Sequence, residues 1–344
     1  MTDHPAVRAL EVAEPGSIAL VDRPDQIAMT TASASGGSSL KPVKPLLVGL
    51  CGTDLDIIDG LVDEAFVTYP IVLGHEWVGE ALGPNDEPRR VIAEGIVPCT
   101  MCDDCRRGAT NLCAVYDEYG FTRDGAAAGR VLVPERLLHD IGGNVSIESA
   151  VLAEPAAVVH HALERARPEP GARVLVVGDG TIALLAAHLV RSWRPSVVDV
   201  RGRRTAQLGL VERAGADRFL LDQPGSTGQT GSYDLVIDAA GSPEASAAAV
   251  RSLERGGTLV ALGYLGRGVT VPLTVDDLIN RELSVLGSFA STSEDWRSIA
   301  SSLNDDTLDL SWLVTHRFPL PEFRAAIEEL RRPTGARGKI VLVP

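Results

Sequence analysis

Four of the five cysteines in the chain fall within one short stretch, CTMCDDCRRGATNLC. Their spacing, C-x2-C-x2-C-x7-C, allows a loop to wrap four thiolates around one tetrahedral zinc ion. Four thiolates leave no open coordination position, so a zinc bound there would be structural. Ordinary thiols and an iron–sulfur cluster are the alternatives. The spacing predicts a closed zinc site formed by Cys99, Cys102, Cys105 and Cys113.

Three further candidate ligands lie far apart in the chain: Cys51 in GLCGTD, His75 in VLGHEW and Glu154 in LAEPAA. Each of them alone is more often a core residue, a satisfied polar group or a helix cap. Together, a thiolate, an imidazole and a carboxylate suit a catalytic zinc with water or substrate in its fourth position. Glu76 is expected beside that water or as an alternating ligand, and Asp54 is expected to orient the histidine.

The segment RVLVVGDGTIALLAAHLVR has the pattern of a strand, a tight turn and a helix. In it, Gly178, Gly180 and Ala183 fit the motif G-x-G-x-x-G/A. The glycines let the turn approach a pyrophosphate, and the N-terminus of the helix supplies positive potential. Because the motif opens a region of alternating strands and helices, it predicts dinucleotide binding rather than a merely structural turn.

The choice between NAD and NADP depends on the segment SVVDVRGRRTAQL. NAD-binding sheets usually place an acid just beyond their second strand, whereas an arginine there accommodates the 2′-phosphate of NADP. Three arginines, Arg201, Arg203 and Arg204, follow the expected end of the strand at Val200. Asp199 is the competing acid, but it falls inside the predicted strand. The arginines favour NADP, and the alternative is that they form a solvated loop.

The first half of the chain is rich in short apolar runs separated by Gly, Pro and Asp, which is typical of an antiparallel barrel or sandwich. Predicted strands there cover 46–48, 71–73, 91–96 and 131–133. The segment TTASASGGSSLKPVKP, residues 30–45, is polar and rich in small residues. It is predicted to be an exposed loop.

From about Glu154 onwards, strands and helices alternate, beginning with a helix in AEPAAVVHHALERA. Predicted strands cover 173–177, 197–200, 218–221, 235–238, 258–262 and 283–286. Predicted helices between them include 182–191, 207–214 and 243–253. Six apolar strands separated by helices indicate a doubly wound parallel sheet, so the fold class is α/β plus β. The tail from Trp296 leaves this pattern and ends in the strand-like KIVLV.

Length and composition exclude several classes of protein. With 344 residues, 45% hydrophobic and 23% charged, the chain suits two globular domains rather than a disordered polymer. Its net charge of −14 argues against nucleic acid as a partner. No run approaches the ~20 apolar residues of a membrane span. An odd number of cysteines and an N-terminus without the order of a secretory signal indicate a cytoplasmic protein without a disulfide framework.

The motifs GLCGTD, GHEW, CTMCDDCRRGATNLC, AEPAA and VVGDGTIA together resemble the zinc-containing medium-chain dehydrogenase/reductase superfamily over essentially the whole chain. A glutamate before Pro155 resembles the polyol branch, which includes sorbitol and glucose dehydrogenases. The stretches YPIVLGHEW and YDEYGFTRDGA are also similar to 2-deoxy-scyllo-inosamine (cyclitol) dehydrogenases. The resemblance implies a GroES-like catalytic domain, 1–155 with 292–344, whose zinc lobe covers about 97–115. A Rossmann domain, 156–291, is inserted in it.

The resemblance also implies roles for individual residues. Cys51, His75 and Glu154 match the catalytic zinc ligands, with Glu76 next to the metal. Thr53 matches the hydroxyl that relays the substrate proton, and the family's ribose-binding acid position falls on Gly202. The implied nucleotide contacts are Gly178, Gly180, Thr181, Ile182, Ala183, Gly202, Arg203, Arg204, Leu262 and Gly263.

The implied function is a zinc-dependent, NAD(P)-linked oxidoreductase that interconverts a secondary alcohol (a polyol, sugar or cyclitol) and its ketone. Two zinc ions per chain, NADP rather than NAD, and a homodimer or homotetramer are expected. One alternative is a zinc-independent reductase of activated double bonds on the same fold. Another is a non-catalytic protein that binds zinc and a nucleotide.

Overall fold

The computed structural model describes residues 6–24, 40–83, 87–222 and 231–344. The chain divides into two compact units. The first contains Met1–Glu154, Thr292–Pro333 and Lys339–Pro344. The second contains Pro155–Ser291 and Thr334–Gly338. The segment 334–338, expected in the catalytic domain, therefore joins the nucleotide unit, where Arg337 and Gly338 hydrogen-bond to Gln207 and Thr181.

The N-terminal part of the first unit is built mainly from strands. The strands are β1 (Ala6–Glu14), β2 (Ser17–Pro24), β3 (Leu40–Leu50), β4 (Ile71–Val72), β5 (Glu76–Leu82), β6 (Pro88–Ala93), β7 (Val131–Pro134) and β8 (Leu138–Ile141). The helices are α1 (Gly52–Asp59), α2 (Asp103–Arg106) and α3 (Ile147–Ala150). Helix α4 (Ala153–Ala166) carries the chain from the first unit to the second.

Strands and helices alternate in the second unit. The strands are β9 (Arg173–Val177), β10 (Val197–Gly202), β11 (Arg218–Leu221), β12 (Tyr233–Asp238), β13 (Leu253–Ala261) and β14 (Ser284–Gly287). The helices are α5 (Thr181–Leu189), α6 (Leu208–Arg213), α7 (Pro243–Ser252) and α8 (Val275–Arg281). The chain then returns to the first unit with α9 (Ser293–Asn304), β15 (Val314–Pro319), α10 (Phe323–Arg331) and β16 (Lys339–Val343).

The main sheet of the first unit joins strands from the N-terminal half of the chain to strands near its C-terminus. Among the described residues its order is β15-β16-β3-β5-β6-β8, with β7 paired to β3. Strand β16 is antiparallel to β3, with Ile340 opposite Leu50, and β3 is antiparallel to β5, with Gly49 opposite Glu76. This register places residues 50, 76 and 339 close together, beside a core that includes Val48 and Trp77.

The sheet of the second unit has the order β11-β10-β9-β12-β13-β14 within the part of the chain that the structure describes, and all its pairs are parallel. This is the doubly wound order 3-2-1-4-5-6 of dinucleotide-binding domains. Strand β9, RVLVV, is buried on both faces, which explains its run of branched apolar residues. The expected fold class, a GroES-like domain with an inserted Rossmann sheet, is confirmed.

Several element boundaries differ from the predictions. The predicted loop at 30–45 is wrong for 40–45, which belong to β3 despite two prolines, and residues 30–39 lie outside the described part. Strand β10 continues to Gly202 instead of ending at residue 200, because its last residues pair with β11. Strands β1 and β2 form an antiparallel pair that the sequence patterns did not indicate. No helix among the described residues is long and apolar enough to cross a bilayer.

We expect Asp199 to stabilise the sheet rather than to bind a nucleotide. Its carboxylate is fully buried, accepts hydrogen bonds from the Tyr233 hydroxyl and the Arg218 guanidinium, and lies inside β10. Asp199→Asn should lower the free energy of unfolding by about 2 kcal/mol in urea titrations, because a buried hydrogen-bonded charge is lost.

The control is Asp234→Asn, which also removes an Asp–Arg pair, here with Arg173, but at a position where the side chains are 45% and 42% exposed. This variant should lose less than about 1 kcal/mol. Equal losses in the two variants would contradict a structural role for the buried carboxylate.

Candidate metal and nucleotide sites

Cys51 lies at the N-terminus of helix α1, immediately after β3. Its backbone N–H donates to Asp54 Oδ2 at 2.8 Å, so the acid in the first turn fixes the residue that begins the helix. Its Sγ lies 3.6 Å from the Thr53 hydroxyl, which is partly exposed. A thiol, a hydroxyl and a carboxyl group are thus held within one helical turn.

His75 precedes β5 and faces an acid on each side of its ring. Its Nδ1 lies 3.6 Å from Asp54 Oδ1, and its Nε2 lies 4.0 Å from Glu76 Oε1. All three side chains are almost completely buried. Burial alone lowers the pKa of His75, but the Asp54 carboxylate and the Cys51 sulfur raise it well above its usual value. Asp54 therefore faces the ring nitrogen that points away from Glu76.

The ligand atoms of Cys51, His75 and Glu76 all lie within 4.8 Å of one another. The structure thus brings together two of the three predicted ligands, with Glu76 rather than Glu154 as the third member. Glu154 is near enough to interact electrostatically: burial, and then the charge of Glu76, raises the pKa of Glu154 to about 8. Glu76, which directly follows His75 in the sequence, therefore completes the compact group in place of Glu154.

Lys339 reaches this cluster from β16, the last strand of the chain. Its buried ammonium lies 2.7 Å from Glu76 Oε1 and donates to the Leu50 carbonyl at 3.2 Å. Burial alone lowers the pKa of Lys339, but the charge of Glu76 raises it above its usual value. No sequence motif pointed to this lysine, because it lies far from the cluster along the chain and only the sheet register brings it there.

The residues present fit a zinc ion. The donor atoms are sulfur, nitrogen and oxygen, which are the ligands that zinc takes in proteins. Asp54 and Glu76 are both buried, and burial raises the pKa of Asp54 and of Glu154. A divalent cation bound by these residues would favour the charged forms of the buried acids, which are otherwise costly to bury.

The four clustered cysteines form a second compact group around helix α2. Their sulfur atoms lie within 4.8 Å of one another, and Cys99 Sγ is 3.9 Å from Cys105 Sγ. Thiolates on a tetrahedral zinc at ~2.3 Å would lie about 3.8 Å apart. All four thiols are free, and backbone N–H groups donate to the sulfurs of Cys99, Cys102 and Cys113. Such donors lower the pKa of Cys102 to about 6, which favours the thiolate that binds metal, whereas burial raises the pKa of Cys105 to about 12.

The glycine-rich turn lies between β9 and α5, as predicted. Gly178 has φ of +121°, and a Cβ there would lie 2.9 Å from the Ala239 carbonyl, so only glycine fits. Thr181, Ile182 and Ala183 form the first turn of α5, and the Thr181 hydroxyl donates to the Gly338 carbonyl. Backbone N–H groups at the N-terminus of this helix are suited to a pyrophosphate.

The other predicted nucleotide residues also lie at the carboxyl edge of the sheet. Gly202 ends β10 and is followed by Arg203 and Arg204. Leu262 and Gly263 follow β13, and their N–H groups both donate to the Asp238 carbonyl at 2.9 Å. This edge is where doubly wound sheets bind their ligands.

Two features at the end of β10 differ from the expectation. Arg201 is buried inside the strand, where its guanidinium donates to the Ser252 hydroxyl, so it is not one of the arginines that follow the strand. In addition, an acid does lie at this position. Asp179, in the glycine-rich turn, places its carboxylate against Gly202. Sequence reasoning missed Asp179 because it occupies a variable position of the G-x-G-x-x-A motif.

Two family profiles cover most of the chain. The profile of the alcohol dehydrogenase GroES-like domain matches residues 42–143, and that of the glucose dehydrogenase C-terminus matches residues 147–332. The chain belongs to the zinc-type medium-chain dehydrogenase family. It is therefore an NAD(P)-linked oxidoreductase of the alcohol and polyol type, as the sequence motifs predicted.

Individual proteins that are similar to this chain are dehydrogenases as well. A sorbitol dehydrogenase from Halalkalibacterium halodurans is 27% identical, covering 88% of this chain and 91% of its own. An L-threonine 3-dehydrogenase from Pectobacterium carotovorum is 30% identical, covering 85% and 88%. A zinc-binding dehydrogenase from Sinorhizobium meliloti, solved with NADP, has a TM-score of 0.86 at 27% identity and covers 99% of this dehydrogenase and 100% of its own chain.

The ion pair between Lys339 and Glu76 should be important for the stability of this dehydrogenase without metal. In chelator-treated protein, Lys339→Met should lower the free energy of unfolding by roughly 3 kcal/mol or more, because it leaves a buried carboxylate without its cation. Lys41→Met is the control, since Lys41 is one-third exposed and lies 3.7 Å from Glu135. It should change stability by less than about 1 kcal/mol. Equal effects in urea titrations would contradict this assignment.

Proposed function

We propose that this dehydrogenase oxidises a secondary alcohol of a polyol, sugar or cyclitol with zinc bound at the cluster of Cys51, His75 and Glu76. The observation that carries the proposal is the grouping of one sulfur, one imidazole nitrogen and one carboxylate oxygen within 4.8 Å. Three protein ligands leave a fourth position for water or substrate, as in catalytic zinc sites. A second zinc at the four clustered cysteines would be structural.

When bound, zinc would supply Lewis acidity at an alcohol oxygen, and the nicotinamide would supply a hydride acceptor. The Asp54 carboxylate lies 3.6 Å from Nδ1 of His75, and its charge favours the ring orientation in which Nε2 points towards Glu76. Thr53 is partly exposed and lies beside Cys51, where its hydroxyl can accept the alcohol proton and pass it to water. Lys339 balances the charge of Glu76 and holds its carboxylate in place.

The substrate class follows from the acids around the cluster. Glu154, the residue at which this chain resembles the polyol branch, is a second carboxyl group near Glu76. A polyol presents neighbouring hydroxyl groups that can donate hydrogen bonds to such carboxyls, whereas a simple alcohol presents one. The sorbitol dehydrogenase relative supports this class. The L-threonine 3-dehydrogenase relative adds L-threonine to the compounds that a substrate panel should include.

For the nucleotide we propose NADP in preference to NAD. Arg203 and Arg204 follow a strand that ends in glycine, so residue 202 offers no carboxylate to the ribose 2′-hydroxyl. Arginine side chains and backbone N–H groups there suit a 2′-phosphate instead. The related structure from Sinorhizobium meliloti, which was solved with NADP, supports this preference.

The two metal sites can be tested with the same substitution at each. Cys51→Ser and Cys102→Ser should each lower the zinc content from about two to about one per chain. Cys51→Ser should lower turnover by roughly 100-fold or more and leave NADPH binding unchanged, because it removes a ligand of the open site. Cys102→Ser should chiefly lower the melting temperature, because structural zinc contributes to folding.

Zinc content by mass spectrometry, fluorescence titration with NADPH and a panel of sorbitol, glucose, inositols and L-threonine complete this test. Full turnover of Cys51→Ser without zinc at the first site would reject the proposed mechanism. Oxidation of NADPH by an enone but by no ketone would favour the double-bond reductase.

We also propose that this dehydrogenase forms a homodimer through the edge of its six-stranded sheet. Strand β14 is the last of the described strands in that sheet, and Val285 on it is 42% exposed. Val275 and Ile279 on α8 are 63% and 69% exposed. An unpaired sheet edge with apolar side chains nearby is a surface that a second copy can cover.

Val285→Lys should therefore convert the dimer to a monomer, which light scattering after size exclusion would detect at micromolar concentration. Leu61→Lys is the control, since Leu61 is 61% exposed and belongs to the first unit. A monomeric wild-type protein, or dissociation of both variants, would contradict this interface.

A further inference from the structure

The carboxylate of Asp179 fills the space beside Gly202 at the end of β10. A Cβ on residue 202 would lie 2.6 Å from both Asp179 Oδ2 and Asp179 Cβ. Residue 202 can therefore be only a glycine while Asp179 keeps this position. The acid that dinucleotide folds usually carry at the strand end is replaced here by an acid that comes from the glycine-rich turn.

This carboxylate occupies a complete set of donors for an anion. Asp179 Oδ2 accepts from the backbone N–H groups of Arg203 and Arg204, both at 2.9 Å. Asp179 Oδ1 accepts from Arg204 Nε at 2.9 Å and from Arg204 Nη2 at 2.7 Å. A carboxylate has about four acceptor positions, so all of them are used. Two backbone N–H groups with a guanidinium would equally suit a phosphate.

Hydrogen bonds to the backbone carbonyl of Asp179 also hold the glycine-rich turn in place. The Asp179 carbonyl accepts from Arg204 Nη2 at 2.9 Å and from the Gln207 amide at 2.5 Å. Gln207 is fully buried, and its amide oxygen accepts from the Arg337 backbone N–H. Asp179 is itself largely buried, with 12% of its side chain exposed. These contacts hold the Asp179 side chain in one position, so it is a fixed part of the site rather than a freely rotating surface group.

We propose that Asp179 limits the use of NADP, because its carboxylate occupies the donors that a ribose 2′-phosphate needs. This inference rests on the proposed nucleotide site. NADP must displace the carboxylate from Arg203 and Arg204, and the two anions repel each other if both remain. NAD carries no phosphate at this position and leaves the internal ion pair intact. Asp179 therefore keeps NAD competitive at a site whose arginines favour NADP.

The test compares two fragments that differ only in the phosphate, 2′,5′-ADP and 5′-AMP, by isothermal titration calorimetry. Asp179→Ala should bind 2′,5′-ADP about tenfold or more tightly than the wild type does, because the donors are free for the phosphate. Its affinity for 5′-AMP should change by less than about threefold. Adding Arg204→Gln to Asp179→Ala should remove most of the gain for 2′,5′-ADP.

Asp222→Ala is the matched control. Asp222 follows β11, next to β10, and its carboxylate lies 3.9 Å from Arg201 rather than on the donors of Arg203 and Arg204. It removes the same charge from the same region without vacating the donors of Arg203 and Arg204, so its effect measures the contribution of that charge. Asp222→Ala should leave the ratio of the two affinities within about threefold of the wild type.

A second measurement applies if Asp179→Ala is less stable than the wild type. Inorganic phosphate should raise the melting temperature of Asp179→Ala more than that of the wild type or of Asp222→Ala, because it refills the vacated donors. An unchanged affinity ratio in Asp179→Ala, or an equal gain in Asp222→Ala, would overturn the inference. A wild-type protein that binds neither fragment nor NADPH would instead overturn the proposed nucleotide site.

Discussion

Buried carboxylates lose their hydration, and a protein that groups them must either supply positive charge at the same place or raise their pKa. The first unit does this at Asp54, Glu76 and Glu154, where the ammonium of Lys339 lies on Glu76. Lys339 belongs to the last strand of the chain, so the C-terminus must return to the first unit. The pairing of β16 with β3 meets this requirement, because Ile340 lies opposite Leu50. The need to place Lys339 beside Glu76 thus accounts both for the charge balance of the cluster and for the return of the C-terminus to the first unit.

The two cysteine-containing sites depend on the fold to different degrees. The four clustered cysteines lie within one short loop around α2, so local turns bring most of their sulfurs together. Cys51 and His75, by contrast, meet only after β3 and β5 have paired. The four-cysteine metal site can therefore form with little of the domain folded, whereas the site at Cys51 and His75 exists only in the folded sheet. This difference is why loss of metal is expected to affect stability at one site and turnover at the other.

The sequence predicted the parts of the structure that depend on local patterns. Strand β9 and helix α4 have the predicted bounds, because an apolar branched run and a helical spacing are each complete within a few residues. The cysteine spacing likewise needed no tertiary information. The strand-like KIVLV was recognised as β16, but no pattern showed that its first residue, Lys339, would face Glu76.

The parts that could not be predicted depend on contacts between distant residues. The choice of Glu76 over Glu154 in the compact group follows from the position of β5 opposite β3, which residue types do not encode. The extension of β10 to Gly202 depends on its pairing with β11 and buries Arg201, which the spacing of arginines had suggested for a phosphate. The position of Asp179 depends on the absence of a side chain at residue 202.

The interlocking of Asp179 with Gly202 limits how the nucleotide site can be re-engineered or can diverge. In such sheets, an acid at the strand end binds the ribose 2′-hydroxyl of NAD, so introducing one there is the direct route to NAD use. Here a new side chain at residue 202 would collide with Asp179 and place a second negative charge against it. Acidic residues at the two positions are therefore mutually exclusive, and a redesign has to exchange both residues in one step. Among homologous enzymes, an acid at the position of Asp179 should accompany glycine at the strand end, and an acid at the strand end should accompany a small neutral residue in the turn.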